Sequence, residues 1–359
     1  MYIKRFLFAV ILIASFTIIS NAVDVSAKSA VLISDSGELL FEKNARSEML
    51  IASTTKIVTA ILAIENCDIN QTVTIKPEYT GIEGSSIYLQ PGEEISMTAL
   101  IHGLLLSSGN DAAVAIAIET AGSIENFTKK MNYLCELLEL KNTHFQNPNG
   151  LDEDGHYSSA YDLAKLMEYC MQNPVFKSIV CKKSYVENKH FMTNHNKLLY
   201  LNKFVDGGKT GFTKKAGRTL VSTAIKNGRR LYCVTLNAPN DWNDHKNLYD
   251  YGFALFKETV LIEDSELSIP VISGTESAVK IFLGKYSAFI TETEKITQIT
   301  ELPHFVYAPV VNKVCGKITF KANDFALGMV ELNYSNSIPL KEITKKPNFW
   351  SRLKMIFGG

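Results

Sequence analysis

A serine and a lysine three residues apart, Ser53 and Lys56 in IASTTKIVTA, open a long apolar segment. At that spacing near a helix start the two side chains project from one face and come within reach of each other. A serine hydroxyl becomes a nucleophile only when a base takes its proton. A lysine amine serves as that base only when burial or a neighbouring cation lowers its pKa. The spacing alone is common, since Ser277 with Lys280 and Ser351 with Lys354 repeat it in this chain. Ser53 differs in its company: Ser108-Gly109-Asn110 interrupts two apolar stretches, and Lys209-Thr210-Gly211 lies in the glycine-flanked run VDGGKTGFT. Taken singly, Lys209 reads as a surface lysine in a turn and Asn110 as a helix cap. Joint occurrence of the three groups reverses that reading and points to chemistry at one site.

The elements that must position these groups are legible from periodicity. Ala30 to Ile33, the turn Asp35-Ser36-Gly37 and Leu39 to Phe41 predict a hairpin. The apolar run from Ile51 to Ile64 predicts a helix buried on nearly all sides. Helices are expected over Thr98–Leu106 and Asp111–Thr120, broken at Ser107–Asn110 because glycine and asparagine stop helices. Further helices are expected over Ile124–Leu140 and, opened by a Ser159/Asp162 cap, over Tyr161–Met171. Gly217–Ile225 and Arg230–Leu236, joined through Asn227-Gly228, read as a second hairpin, and Trp242–Glu258 as a closing helix. Strands at both ends with helices between imply one antiparallel sheet flanked by helices, an α/β architecture of the α+β kind. Short Val/Ile/Thr/Phe runs from residue 259 to 340 predict a small all-β domain.

Formal charge cancels, 37 basic against 37 acidic side chains, so no global field favours nucleic acid. Six cysteines are scattered with no C-x-x-C or Cys/His cluster, so the chain implies no metal and no cofactor, and no disulfide is assigned. Lys4 and Arg5 precede an apolar run and small residues, the layout of a secretory signal peptide over 1–27, with Ala22 or Ala27 at the cleavage position. The body, 28–258, is then exported. At the other end Phe349, Trp350, Leu353, Ile356 and Phe357 share one face of a basic amphipathic segment, 341–359, suited to a membrane surface.

The three motifs in this order, S-x-x-K, S-G-N and K-T-G, resemble those of the low-molecular-mass penicillin-binding proteins, specifically the D-alanyl-D-alanine carboxypeptidases. The likeness extends through LLLSSGNDAA, FQNPNGLDEDGHYSSAYDLAKL and VDGGKTGFTKKAGRTLV, and so spans about residues 30–257. It implies a penicillin-binding-protein/β-lactamase-like domain. In it Ser53 attacks the penultimate D-alanine of a peptidoglycan stem peptide, and Lys56 takes the proton. Ser108 and Asn110 complete the proton path and hold the substrate amide, while Lys209 and Thr210 bind the terminal carboxylate. Gly211 lets the strand approach, and the N–H groups of Ser53 and Phe212 form the oxyanion hole. β-Lactams would inhibit by acylating Ser53.

One departure stands out. Some relatives carry an arginine after the strand that follows K-T-G, whereas this stretch reads Asn240-Asp241-Trp242-Asn243-Asp244-His245-Lys246, leaving His245 or Lys246 as substitutes or, more commonly, helix-surface residues. A β-lactamase shares the acylation machinery, but no E-x-x-L-N segment is present. A D,D-endopeptidase or transpeptidase differs only in leaving group or acceptor and stays open. A non-catalytic wall-binding or β-lactam-sensing protein would have lost a motif member, and all are present.

Overall fold

The computed structural model describes residues 23–342. The elements are β1 (Ser29–Ser34), β2 (Leu39–Lys43), α1 (Lys56–Asn66), β3 (Thr72–Thr74), β4 (Glu94–Ser96), α2 (Met97–Leu105) and α3 (Asn110–Ala121). They continue with α4 (Ile124–Leu137), α5 (Ala160–Gln172), α6 (Pro174–Val180), β5 (Ser184–Glu187), β6 (His190–Thr193), α7 (Leu198–Leu201), β7 (Val205–Thr213), β8 (Gly217–Lys226), β9 (Arg229–Leu236) and α8 (Asp241–Leu255). Beyond these, among the described residues, lie only strands: β10 (Lys257–Ile262), β11 (Ser265–Ile272), β12 (Ala278–Leu283), β13 (Tyr286–Ile290), β14 (Ile296–Glu301), β15 (Val306–Tyr307), β16 (Val314–Ala322) and β17 (Phe325–Asn333).

One five-stranded antiparallel sheet, in the order β2-β1-β9-β8-β7, joins strands from both ends of the catalytic region. Its two faces are read directly from alternation along β1. Val31 and Ile33 enter a large core with α1 to α6, while Ala30 and Leu32 face the opposite way, toward Leu248 and Tyr249 of α8. The sheet is therefore sandwiched between helices, as its strand-helix-strand order requires. Asn227 and Gly228 both adopt positive φ, 52° and 78°, the turn that matches strand twist in a two-residue hairpin. Ser159 caps α5 through the Asp162 N–H, and the Asp162 carboxylate turns away to accept from Asn142 N–H and Thr143 Oγ1.

Three helix boundaries differ by several residues from the sequence reading, one of them α4, which ends at Leu137 rather than Leu140. The segment expected to be one helix from Ile51 is split: Ala52–Thr55 form a 3₁₀ turn entered through Ala52 at φ 48°, and α1 begins at Lys56. The closing helix ends at Leu255, and Lys257 already belongs to β10.

The all-β region has its own apolar core, built around Ile269, Val279, Ile281, Ile318, Phe320 and Leu332. A buried charge cluster links it to the main sheet. Arg229, at the start of β9, donates to Asp35 at 2.7 Å and to Glu294 at 2.5 Å, and Ser36 also donates to Glu294. Burial pushes the Asp35 carboxyl up from its ordinary range, and Arg229 opposes that shift. Because each carboxylate is hydrogen-bonded as well as paired, the cluster tolerates its desolvation.

All six cysteines are unpaired; Cys135, Cys170 and Cys233 are buried, and Cys181 is exposed. No described helix is long and apolar enough to cross a membrane. The amphipathic run at 349–357 and the apolar run before Ala22 lie outside the described residues.

Candidate active site

The S-x-x-K pair straddles the joint between the 3₁₀ turn and α1. Ser53 is partly exposed, whereas Lys56 is fully buried. The positive φ of Ala52, a conformation that costs an L-residue about 1–2 kcal/mol, sits immediately before Ser53. Strain of this kind persists only where the surroundings enforce it. Here the Ala52 carbonyl accepts from Thr55 Oγ1, which His156 Nε2 also meets at 2.8 Å. The Ile51 carbonyl accepts from Thr219 on β8 at 3.0 Å. His156 Nδ1 accepts from Gln146 N–H, so its proton sits on Nε2, and burial holds the ring neutral by pulling its pKa to about 4.

Lys56 Nζ lies 2.8 Å from Ser53 Oγ, 2.6 Å from Asn110 Oδ1 and 2.6 Å from the Asn149 carbonyl. Burial holds its pKa well below the ordinary lysine range; Lys209 adds to that shift and Asp111 opposes it. The neighbouring cation expected from sequence thus contributes, but desolvation leads.

The break between α2 and α3 gives Ser108 a positive φ of 62° and starts α3 at Asn110. Asp111 accepts from Ser86 Oγ and from the N–H groups of Ile87 and Leu89, which pins the neighbouring loop. Asn110 Nδ2 donates to the Glu83 carbonyl, so its Oδ1 is turned to Lys56. Ser108 Oγ accepts from Lys209 Nζ at 3.0 Å. Lys209 in turn donates to the Thr210 carbonyl.

β7, which carries K-T-G, is the edge strand of the sheet. A side chain at Gly211 would meet Thr219 Oγ1 at 2.3 Å and Ser53 N at 2.9 Å, so only glycine lets this strand lie against the turn that carries Ser53. Phe212, the next residue, is 66% exposed at the rim.

The structure therefore brings Ser53, Lys56, Ser108, Asn110, Lys209, Thr210, Gly211 and Phe212 to one place. Ser53, Ser108, Thr210, Gly211 and Phe212 line a cleft of about 330 Å³ with Ser85, His195, Lys197, Arg218, Asp241 and Trp242. Several of these neighbours escaped the sequence reading, because nothing in their local pattern distinguishes them from surface polar residues. The sequence reading of His245 is corrected. It is neither a surface residue nor part of the cleft, but fully buried between α8 and the sheet, bonded to Ser222 Oγ at 2.7 Å and Thr235 Oγ1 at 3.0 Å. Burial pulls its pKa to about 3. Lys246 is exposed. Among the described residues no cluster of His, Cys, Asp and Glu could hold a metal ion.

Burial pulls Lys209 down to about 7, from 10.5 for a free lysine. Between about pH 7 and 10 the unfolded chain binds the proton that the folded chain has released, so through this group stability rises with pH. Lys209→Met removes that dependence. The melting temperature of the wild type, measured relative to the variant, is expected to climb across this window.

The sequence profile of the D-alanyl-D-alanine carboxypeptidases matches residues 16–240, well over half of the chain. D-alanyl-D-alanine carboxypeptidase DacF of Bacillus subtilis is 33% identical over 360 residues, covering 92% of this chain and 89% of the relative. DacA of Escherichia coli is 38% identical over 261 residues, 68% of this chain and 64% of the relative. Among solved structures, penicillin binding protein 5 of Haemophilus influenzae superposes with a TM-score of 0.64 at 29% identity, covering 88% of this chain and 98% of that one. The all-β region is included in that coverage, so the likeness extends past the catalytic sheet. A serine and a buried lysine in contact, on a fold and a sequence shared with these proteins, leave one assignment: the chain belongs to the D-alanyl-D-alanine carboxypeptidase family and is a serine-type carboxypeptidase.

Proposed function

We propose that Ser53 is the nucleophile and that neutral Lys56 is the base that activates it. The contact of the fully buried Lys56 Nζ with Ser53 Oγ, at 2.8 Å on the edge of the cleft, is the observation that carries the reading. Ser53 Oγ bonds to the carbonyl carbon of the penultimate D-alanine of a stem peptide, and its proton passes to Lys56. The tetrahedral oxyanion takes hydrogen bonds from the N–H groups of Ser53 and Phe212, donors preorganised for developing charge. Collapse breaks the C–N bond, and the departing D-alanine amine regains a proton along the path Lys56–Ser108. Asn110 holds the substrate amide. Lys209 and Thr210 bind the terminal carboxylate, and β7, as an edge strand, pairs with the extended acyl chain. Water then releases the shortened peptide. A β-lactam enters by the same step and leaves a long-lived penicilloyl group on Ser53.

Four segments divide the chain on this reading, namely a signal peptide within 1–27, the peptidase domain 28–258, the β-rich domain 259–340 and a membrane-surface tail 341–359. Val25 and Ala27 are buried in the core, and Ser26 donates to Asp244. Cleavage after Ala22 keeps these contacts, and cleavage after Ala27 would discard them. The enzyme then works outside the cytoplasmic membrane, on the wall.

Mass spectrometry tests the mechanism. Incubation with penicillin is expected to add one penicilloyl mass to the peptide containing Ser53, and incubation with a peptide ending in D-Ala-D-Ala to release one D-alanine. An adduct without D-alanine release would replace the carboxypeptidase mechanism by an endopeptidase or transpeptidase one, and rapid penicillin turnover by a β-lactamase.

A further inference from the structure

We propose that Arg218, on the strand next to K-T-G, recognises the terminal carboxylate of the substrate and fills the role that the stretch Asn240–Lys246 leaves without an arginine. The proposal rests on the acyl-enzyme reading above and adds a residue to it.

Arg218 is the cross-strand partner of Phe212 and lines the same cleft as Ser53 and Thr210. Cross-strand partners share a face of the sheet, so a long side chain at this position reaches the rim that β7 presents to a ligand. The guanidinium is held in place. Asp241 Oδ1 accepts from Arg218 Nε at 3.0 Å and from Nη2 at 2.8 Å, and Asp241 Oδ2 accepts from Nη2 at 2.9 Å. The Trp242 ring lies 5.3 Å from the guanidinium carbon. Asp241 is buried at the start of α8 and also accepts from the Trp242 N–H. These contacts engage the Nε/Nη2 edge, and among the described residues Nη1 has no protein partner. The Arg218 side chain stays 40% exposed while its partner Asp241 is only 3% exposed. A buried carboxylate thus orients a partly exposed fork, with donors to spare, at the mouth of the catalytic cleft. A planar fork of this kind suits a carboxylate.

The charge already in the cleft explains why such a residue is needed. Lys209 is fully buried and pulled down to about 7, so near neutral pH its ammonium is only partly charged in the empty site. The His195 imidazole on the rim is held below its ordinary pKa by burial and by Lys209, and Lys197 on the same lining offers a point cation without a planar fork. A guanidinium, by contrast, keeps its charge throughout the working range. With Asp241 fixing its geometry, Arg218 supplies a lasting and directional cation.

Two substrates with the same acyl group separate recognition from architecture: an acyl-D-Ala-D-Ala peptide with a free carboxylate, and the corresponding acyl-D-alanyl methyl thioester, which has none. Arg218→Met is expected to lower kcat/KM for the free acid by about 10- to 100-fold, the range for a lost charge-assisted hydrogen bond. The thioester should change by less than about threefold on the same scale. Arg218→Lys, which keeps the charge without the fork, should recover part of the loss, and Asp241→Asn should weaken the acid selectively by freeing the guanidinium. Melting temperatures of all variants show whether each is folded. Equal losses on both substrates, or an unchanged acid-to-thioester ratio in a folded Arg218→Met, overturn the proposal and leave Arg218 as a pin for α8. If the wild type releases no D-alanine and forms no adduct on Ser53, the acyl-enzyme reading itself falls and takes this one with it.

Discussion

Replacing Lys56 by methionine is expected to slow acylation of Ser53 by about 10²- to 10⁴-fold, the range general-base catalysis supplies, while the chain remains folded. The lysine is fully buried, and its nitrogen meets Ser53 Oγ, Asn110 Oδ1 and the Asn149 carbonyl. Methionine fills similar space and carries no charge to desolvate. Its cost is two buried oxygens, Asn110 Oδ1 and the Asn149 carbonyl, left without their donor at about 1–3 kcal/mol each, offset in part by relief of a buried amine. The kinetic loss follows from the proton. With no amine against Ser53, the hydroxyl must ionise into water, and that barrier is restored in full. Stopped-flow acylation by a chromogenic β-lactam, with mass spectrometry for the adduct, measures the rate. A loss smaller than tenfold would remove Lys56 as the base.

The same variant tests the pH dependence. A base must be neutral to accept a proton, so wild-type acylation rises with pH as Lys56 deprotonates. Burial and Lys209 move that limb below the ordinary lysine pKa of 10.5. In Lys56→Met the limb is expected to vanish and leave only the slow residual rate.

Gly150→Ala is the second large effect, and it acts at a distance in sequence. Gly150 has a φ of 84°, and a methyl group there would lie 2.0 Å from the Ala52 carbonyl oxygen, 2.5 Å from its carbon and 2.9 Å from Thr55 Oγ1. The obstacle is backbone, which cannot swing aside. Alanine in the left-handed region costs about 1–2 kcal/mol, and forced overpacking a further 1–3 kcal/mol or so. A loss of about 4 kcal/mol of stability is therefore expected in chemical denaturation. Part of the strain falls on the turn Ala52–Thr55, because Thr59 Oγ1 and the Asn147 side chain hold the Pro148–Gly150 loop against α1. Displacing that turn moves Ser53 away from Lys56, so the fraction that stays folded should acylate at least about tenfold more slowly, as positional errors near 1 Å do in enzymes. A folded and fully active Gly150→Ala would mean that the loop yields instead.

Much of the site was legible without coordinates. Ser53, Lys56, Ser108, Asn110, Lys209 and Thr210 stand out only jointly, because S-x-x-K, S-G-N and K-T-G occur in the order that the resembled family has, and the structure brings the three motifs together with Gly211 at the close approach. The central sheet was legible too, through alternation in β1, β8 and β9 and through Asn227-Gly228. The break at Ala52 was not, since no propensity rule assigns an alanine to the left-handed region; tertiary contacts from Thr55, His156 and Thr219 impose it. His245 was misjudged for a related reason. Histidine beside Asp244 and Lys246 looks like a solvated helix face, yet the way α8 lies on the sheet turns it inward to Ser222 and Thr235.

What the sequence alone determined about this protein is its inventory: a serine with a lysine three residues on, two further motifs in fixed order, strands and helices in a given succession. Such properties are local, set by side-chain chemistry and by periods of two or 3.6 residues. What only the tertiary structure decided is which of these groups touch and how they titrate. The Asn149 carbonyl reaches Lys56 across 93 residues and Asn110 across 54, and Arg218 meets Asp241 at the cleft because β8 and α8 converge there. The physical reason is that a pKa and a contact both depend on burial, and burial belongs to the packed whole rather than to any stretch of chain.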